Sequence, residues 1–573
     1  MSGRQFVQSV LVALFIAMSA TGSFATTYYM CVPSGAPSGW SVGSDSNGGT
    51  SKNDAWATFD KAFNGPSGMS GEDTLIMCDG TYTSSDMTMN ASCHPPDGAS
   101  TSSMTEIKAE NDGGVIIDGG DSTRFYLGSG SDVDYVKFRG IEWVNTRTGA
   151  SEATFMSTDD NNSYIHFYRC GFRGNDGGAT IFNPSGGTHY LAEECYAYGA
   201  GRCGFRIQHS GTHAVYRRCV VRLDRVDASD NPVYGIATYS TEQLEVQNCI
   251  VIDSDSSYWD NFSYSGGAFH IRKTDGGWGN SRDIHFRGCI ALNNLGWNRH
   301  PSYGDVHFAG SQFCSDSESQ PNSLNDMVLW DVMHGIVPTT GTTTGATLEN
   351  ITIYAASNPD YPTEVGSYGT NLQAADWTLK NSIIIGGQQY GFARYMLSDY
   401  NVVYNVSGGD EYRSEATEGA HDYCADGVAC LKQVNPENGS TGDGNGTTCL
   451  KYITRIEDNS DCDGTGESSA DRGATVLKRY GVDGTFWGES GYTTLTDVDL
   501  WPFPYEDHIR TRLKAHDAVD GAPGDRGFCA DGETLTKYIW EYLGNTIPSE
   551  IYGGQKLSGC TISGGTVTGV RVY

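Results

Sequence analysis

Hydrophobic and polar residues alternate in short runs that recur along the chain. "YIHFYRCGFRGN", "HYLAEECYAYGA", "HAVYRRCVVRLD", "QLEVQNCIVIDS" and "DIHFRGCIALNN" share one pattern, in which a two-residue period is broken by a mostly polar pair and then a cysteine. With the cysteine as position zero, apolar residues stand five and three places before it and two places after it. Around Cys170 these are Ile165, Phe167 and Phe172, and around Cys249 they are Leu244, Val246 and Val251. The same ruler fits Cys195, Cys219 and Cys289, and extends to Ile141, Val332, Ile351 and Ser382 at the zero position.

A two-residue period places alternate side chains on one face of a strand. The polar pair before position zero predicts a corner where the chain turns into a second strand. A third strand follows in "GFRIQHS", "VYGIATYS", "GAFHIRKT" and "DVHFAGSQ". Three short strands recurring every few tens of residues predict an all-β parallel β-helix solenoid, in which stacked coils share one core. Cys170, Cys195, Cys219, Cys249 and Cys289 then form one inward column of reduced thiols packed as small hydrophobes. Disulfides are expected instead among Cys424, Cys430, Cys449 and Cys462, where loops need bracing.

The ends depart from the repeat. "NDAWATFDKAFNG" predicts a short cap helix with Trp56, Phe59 and Phe63 on one side. "WPFPYEDHIRTRL" and "TLTKYIWEYLGNTIP" read as helices, the second with Thr534 as N-cap and Gly544 and Pro548 as the stop. "GGTVTGVRVY" reads as a closing strand. The expected organisation is a signal peptide over 1–25, an N-terminal cap and first coils over 26–105, the solenoid over 106–412, and a loop-rich acidic region over 413–573 that packs on it. In the first segment Arg4 precedes an apolar run from Phe6 to Met18 and the small-residue end Ser23-Phe24-Ala25, which predicts export with cleavage after Ala25. The run is too short for a membrane span, so no membrane insertion is expected.

Composition supports short strands and turns: 573 residues include 74 glycines, and 573 is too many for one compact core. The 37 basic and 69 acidic residues give a net charge of -32. No Lys/Arg cluster of useful length interrupts that acidity, so nucleic acid is set aside as a partner.

The repeated "IHFxxCGF" units and the opening "YYMCVPSGAPSGWSVGSDSNGGTSKNDAWATFDKA" with "GEDTLIMCDGTY" resemble the right-handed parallel β-helix proteins of the pectate-lyase-like superfold. The likeness runs from about Thr26 to Val406, and the tail resembles those of bacterial β-helix repeat proteins that bring no activity with them. The resemblance implies an extracellular polysaccharide as partner, and a lyase or a noncatalytic glycan-binding or adhesin-like surface protein as function. The Gly-His-Gly element of polygalacturonases and the Arg-x-Pro-x-x-Arg element of pectate lyases are absent from the sequence.

A lyase acting on a uronic acid polymer needs a charge to neutralise the carboxylate, a base and an acid. Aligning the third strands on Ile207, Ile236, Ile271 and Phe308 puts Arg206, Gly235, His270 and His307 in one outward row, and Gln208, Ala237, Arg272 and Ala309 in the next. Lys273 and Tyr239 fall at the adjacent edge, and Trp297, Arg299 and Tyr303 in the long loop between coils. The expected roles are Arg272 as carboxylate clamp, His270 or His307 as base and Tyr303 as acid. Arg206, Gln208, Lys273, Trp297 and Arg299 would contact the sugar, Trp297 by stacking. A second candidate is "DNSDCDGTGE", where Asn459, Asp461 and Asp463 have the alternating oxygen spacing of a calcium loop but Ala470 occupies the place of the closing Glu.

Overall fold

The computed structural model describes residues 25–553 except 66, 84–85, 91, 121–124, 128–131, 146–152, 158–161, 175–179, 185, 200–202, 209–211, 224–233, 240, 255–265, 273–280, 295–307, 314–320, 333, 339–345, 356–376, 387–395, 405–418, 425–431, 434–447 and 518–522. Successive coils contribute strands to three parallel sheets, and neighbours in each sheet come from successive turns of the chain. Among the described residues, the first sheet has 13 strands, from Thr27–Met30 to Met396–Asp399. The second has 14, from Gly80–Thr83 to Lys432–Gln433, and the third has eight, from Phe125–Leu127 to His334–Pro338. This is a right-handed parallel β-helix, the hand that parallel crossovers adopt.

The ruler read from the sequence is the coil register. Ile165 lies opposite Tyr190 and Phe167 opposite Ala192; Leu244 lies opposite Ile284 and Val246 opposite Phe286. The residue before position zero is the corner, with a left-handed backbone in coil after coil: Arg169 (φ 53°), Glu194 (54°), Arg218 (52°), Asn248 (50°), Gly288 (63°), Asp326 (52°), Asn350 (54°) and Asn381 (50°). One assignment shifts. Leu329 lies opposite Ala291 and Ile353, so Met327 is the zero residue of that coil and Val332 is not. Inward Leu329 and Val332 both look like core positions, and Asn322 replaces the usual apolar residue five places before Met327. Asn322 is buried and accepts from Ile284 N at 3.0 Å.

Cys170, Cys195, Cys219, Cys249 and Cys289 are fully buried free thiols. Each approaches the same carbonyl of the preceding coil, three places before that coil's zero residue. Cys170 Sγ lies 3.5 Å from Phe138 O, Cys195 3.4 Å from Phe167 O, and Cys219 3.4 Å from Ala192 O. Cys249 meets Tyr216 O and Cys289 meets Val246 O, both at 3.4 Å. A thiol here is therefore a small core side chain that also donates a weak hydrogen bond at a bend. Near the far end Asn401 does the same with a stronger donor, Nδ2 to Leu379 O at 2.7 Å. Burial raises the pKa of the Cys195, Cys249 and Cys289 thiols, that of Cys289 to about 12, which keeps the proton on those sulfurs and leaves them unreactive.

The cap helix is Phe59–Asn64, capped by Thr58 accepting from Lys61 N. Phe59 and Phe63 stack within it, whereas Trp56 precedes the helix and bridges Met30. Disulfides join Cys31 to Cys78 and Cys449 to Cys462; the first was not anticipated. In the C-terminal region, helices span Glu506–Lys514 and Leu535–Trp540, the latter capped by Thr534. The expected closing strand lies outside the described residues, as does the expected signal peptide up to residue 24. No helix among the described residues is long and apolar enough to cross a membrane.

The C-terminal region acts as a strap laid over the coils. Ala474 N donates to Thr352 Oγ1 at 2.9 Å, Tyr480 N to Asn248 Oδ1 at 2.6 Å, and Gly484 N to Glu193 Oε2 at 3.0 Å. Arg222, wholly buried, donates to Leu513 O at 2.7 Å and to Gly524 O at 2.8 Å, so it satisfies a carbonyl at the end of a strap helix. Gly481 (φ 75°) lets the strap come close: a Cβ there would stand 2.3 Å from Arg217 Nε. Among the described residues, these contacts fall on the outward faces of the first two sheets and the corner between them.

Candidate functional site

On the outward face of the third sheet the strand register differs from the expected one. Phe205 lies opposite Ile236, Arg206 opposite Ala237, Ile207 opposite Thr238 and Gln208 opposite Tyr239. In the next coil Ala237 lies opposite His270 and Tyr239 opposite Arg272. Arg206 and His270 therefore share a row, as expected, with Ala237 between them in place of Gly235. Arg272 shares a row with Gln208 and Tyr239. The place beside His270 in the following coil belongs to Gln312, because Phe308 pairs with Gly266. The expected row ending in His307 is thus not the row of His270.

The cause of the misalignment is polar residues at inward places. Thr238 is fully buried beside Ile207, and Ser311 is buried beside Phe269. An alignment on apolar residues skips both and slides to the nearest Ile or Phe.

Arg206 is buried at 7% exposure and His270 at 2%. Arg206 Nε donates to Asn183 Oδ1 at 3.2 Å, and its guanidinium lies over the Tyr239 ring at 5.6 Å. The His270 imidazole stacks on Tyr234, with centroids 3.8 Å apart and planes 12° apart, and Tyr239 flanks it at 5.6 Å. One cation, one imidazole and two phenols therefore occupy three consecutive coils. Tyr234 and Tyr239 were not assigned roles from the sequence, although the alternating "VYGIATYS" places Tyr239 on the outward side once the register is right. Arg272 and Gln208 lie in the strands; their side chains, and Lys273, Trp297, Arg299, Tyr303 and His307 entirely, lie outside the described residues.

A second buried polar cluster sits under the strap. Glu193 accepts from Arg217 Nη1 at 2.6 Å and from Gly484 N, and His166 Nε2 stands 2.9 Å from its carboxylate. Burial opposes ionisation of Glu193, but His166, Arg217 and Arg218 hold its carboxyl well below the usual range. Burial lowers the His166 pKa against the pull of Glu193. Glu142, also fully buried, accepts from Tyr196 at 2.9 Å, Tyr198 at 2.5 Å and Arg512 Nη2 at 3.0 Å. These charges are neutralised across the junction of coil and strap.

The loop of Asn459, Asp461 and Asp463 is braced by the Cys449–Cys462 disulfide. Asp463 Oδ2 accepts from Asn459 N at 2.6 Å, and Asp471 Oδ1 from Gly464 N at 2.9 Å. Among the described residues, no three His, Cys, Asp or Glu side chains are grouped to hold a metal ion.

The molecule is thus a β-helix with two faces strapped and a polar aromatic row on the third. No protein-family model matches the chain, and no curated protein does. Among solved structures it is similar to pectate lyase Pel9A, at 14% identity over 79% of this chain and 96% of that one, with a TM-score of 0.40. It is similar to a mannuronic acid specific polysaccharide family 6 lyase from human gut microbiota, at 12% identity over 64% and 83%, with a TM-score of 0.39. It is also similar to the A-module of the mannuronan C-5 epimerase AlgE4 of Azotobacter vinelandii, at 13% identity over 61% and 90%, with a TM-score of 0.34. At such values the fold rests on the coil register described above.

Proposed function

We propose that the protein is exported and cleaves a uronic acid polysaccharide by β-elimination on the outward face of the third sheet. The observation that carries this reading is the row that joins Arg206 to His270 across Ala237, flanked by Tyr234 and Tyr239. Arg206, with Arg272 two residues beyond His270, balances the substrate carboxylate and the charge that spreads onto it when the neighbouring carbon loses its proton. His270 takes that proton as base. The electron pair left behind forms a carbon–carbon double bond as the glycosidic carbon–oxygen bond breaks, and the Tyr239 phenol gives a proton to the departing oxygen. One product carries an unsaturated ring and the other a new hydroxyl, while solvent returns the proton from His270 to Tyr239.

Incubation with alginate, pectate and glycosaminoglycans, followed by ultraviolet absorbance of unsaturated ends, tests the reading. Product formation that is lost in His270→Ala and Arg206→Ala supports it. No product from any of these polymers counts against it. A second reading, glycan binding without chemistry, is favoured by the burial of His270 and Arg206 and by the tight ring stacking; it predicts binding with no unsaturated product. Calcium enters either reading only as a structural ion at Asn459, Asp461 and Asp463.

A further inference from the structure

The first coils carry a second feature, on a different sheet. Tyr29, Ile76, Lys108 and Arg139 lie opposite one another in one outward row of the first sheet. With stacked strands about 4.8 Å apart, that row is about 14 Å long. It floors a cavity of about 250 Å³, closed at the sides by Lys52, Glu110 and Asp112. Farther along, the same row continues through Tyr168, Glu193, Arg217 and Gln247. There the strap covers it: Arg217 Nη1 donates to Val482 O at 3.0 Å and Gln247 Nε2 to Tyr492 O at 2.8 Å. The strap thus marks where the row closes, and the cavity occupies its other end.

The lining has a definite chemistry. Tyr29, met edge-on by Trp40 at 5.8 Å, and Ile76 form an apolar step. The lining holds three cations and two carboxylates, and the third cation's partner, Glu106, stands outside it. Lys108 pairs with Glu106 at 3.0 Å, Arg139 with Asp112 at 2.9 Å, and Lys52 with Glu110. The Lys52, Lys108 and Arg139 side chains are 43%, 29% and 39% exposed. Such pairs hold the cations in place but are weak enough to be exchanged for a ligand's charge. Burial opposes ionisation of Glu110, yet hydrogen bonds from Lys52 and Trp40 hold its carboxyl below the ordinary range, so it stays ready to accept hydroxyls. A volume of 250 Å³ holds about eight waters at their liquid share, enough for one pyranose ring and the edges of its neighbours.

We propose that this cavity is a noncatalytic binding site for an acidic oligosaccharide that runs along the solenoid axis. The ring face lies on Tyr29 and Ile76. Carboxylates pair with Lys108 and Arg139 on successive coils, and hydroxyls donate to Glu110 and Asp112. The site stands whether or not the third-sheet row is catalytic.

Isothermal titration of the full chain with trigalacturonate, and with cellotriose as the neutral probe, tests it. The expected result is saturable binding of trigalacturonate that falls at least tenfold in Lys108→Gln and about threefold in Lys52→Gln. Both positions are half-buried, and both substitutions should leave the melting temperature unchanged. The Lys108-dependent heat should persist in His270→Ala, which separates this site from the third-sheet row. No saturable heat with trigalacturonate, equal affinity for cellotriose, or unchanged binding in folded Lys108→Gln would overturn the proposal.

Discussion

Two buried polar regions of this solenoid use similar residues toward different ends. Under the strap, His166, Arg217 and Arg218 converge on Glu193 and are joined by strap backbone. On the third sheet, Arg206 and His270 are set among Asn183, Tyr234 and Tyr239. The first arrangement brings opposite charges together at a junction and acts as glue. The second sets a cation and an imidazole in one row of a sheet face with two phenols beside them, the groups that the proposed elimination would use. The contrast teaches that a buried Arg/His cluster acquires meaning from what meets it, here a docked strap in one case and a sheet face in the other.

The comparison breaks first at the glue. Glu193→Ala leaves Arg217 and Arg218 buried without their main carboxylate, and should cost about 3–5 kcal/mol in denaturant unfolding. His270→Ala, in contrast, leaves no buried charge unpaired and should cost only about 1–3 kcal/mol, while lowering any lyase rate by roughly 100-fold or more. If both variants lose stability equally, the distinction between the two regions fails.

Proton linkage sharpens the same contrast at the strap. Burial raises Glu506 to about 7, even though Thr536 donates to it. Its folded pKa lies above the unfolded value. Its contribution is therefore complete below about pH 4.5 and is lost as pH rises through about 7, by roughly 3 kcal/mol in all. Glu193, held low, contributes in the opposite sense, with stability present above the unfolded pKa and lost as pH falls through the folded one. Unfolding measured from pH 5 to 8 should show the Glu506 loss, and Glu506→Gln should flatten it.

Smaller effects belong to the core column and the acidic loop. Cys219→Ala removes a buried sulfur and its bond to Ala192 O, and should cost about 1–3 kcal/mol. A chelator should shift the melting temperature by a few degrees if calcium occupies the loop of Asn459, Asp461 and Asp463; an unchanged melt removes calcium from the account.

The repeat was legible because its signal is redundant. An apolar residue at each of three inward places and a polar corner recur coil after coil, so one deviant coil does not hide the rest. Only Met327, with Asn322 standing at an inward place, broke the ruler. The third sheet was less legible because Thr238 and Ser311 sit inside it, and a strand of six residues offers few other landmarks. Arg206 and His270 were nevertheless placed in one row, while Tyr239 was left at its edge and His307 was placed where Gln312 belongs. The strap contacts were invisible in the sequence: Arg217 and Arg218 fall in the polar pair of a corner, nothing marks Arg222, and their strap partners lie some 265 to 307 residues away. No local pattern encodes such a pairing. The Cys31–Cys78 bridge was missed for the same reason, since neither residue belongs to the repeat.

The most direct measurement is hydrogen–deuterium exchange of the full chain with and without a polyuronate. The account predicts added protection in Cys203–Gln208, Tyr234–Tyr239 and Gly266–Arg272, reduced in His270→Ala. Protection confined to the strap, or absent from those three strands while the polymer is bound, contradicts it.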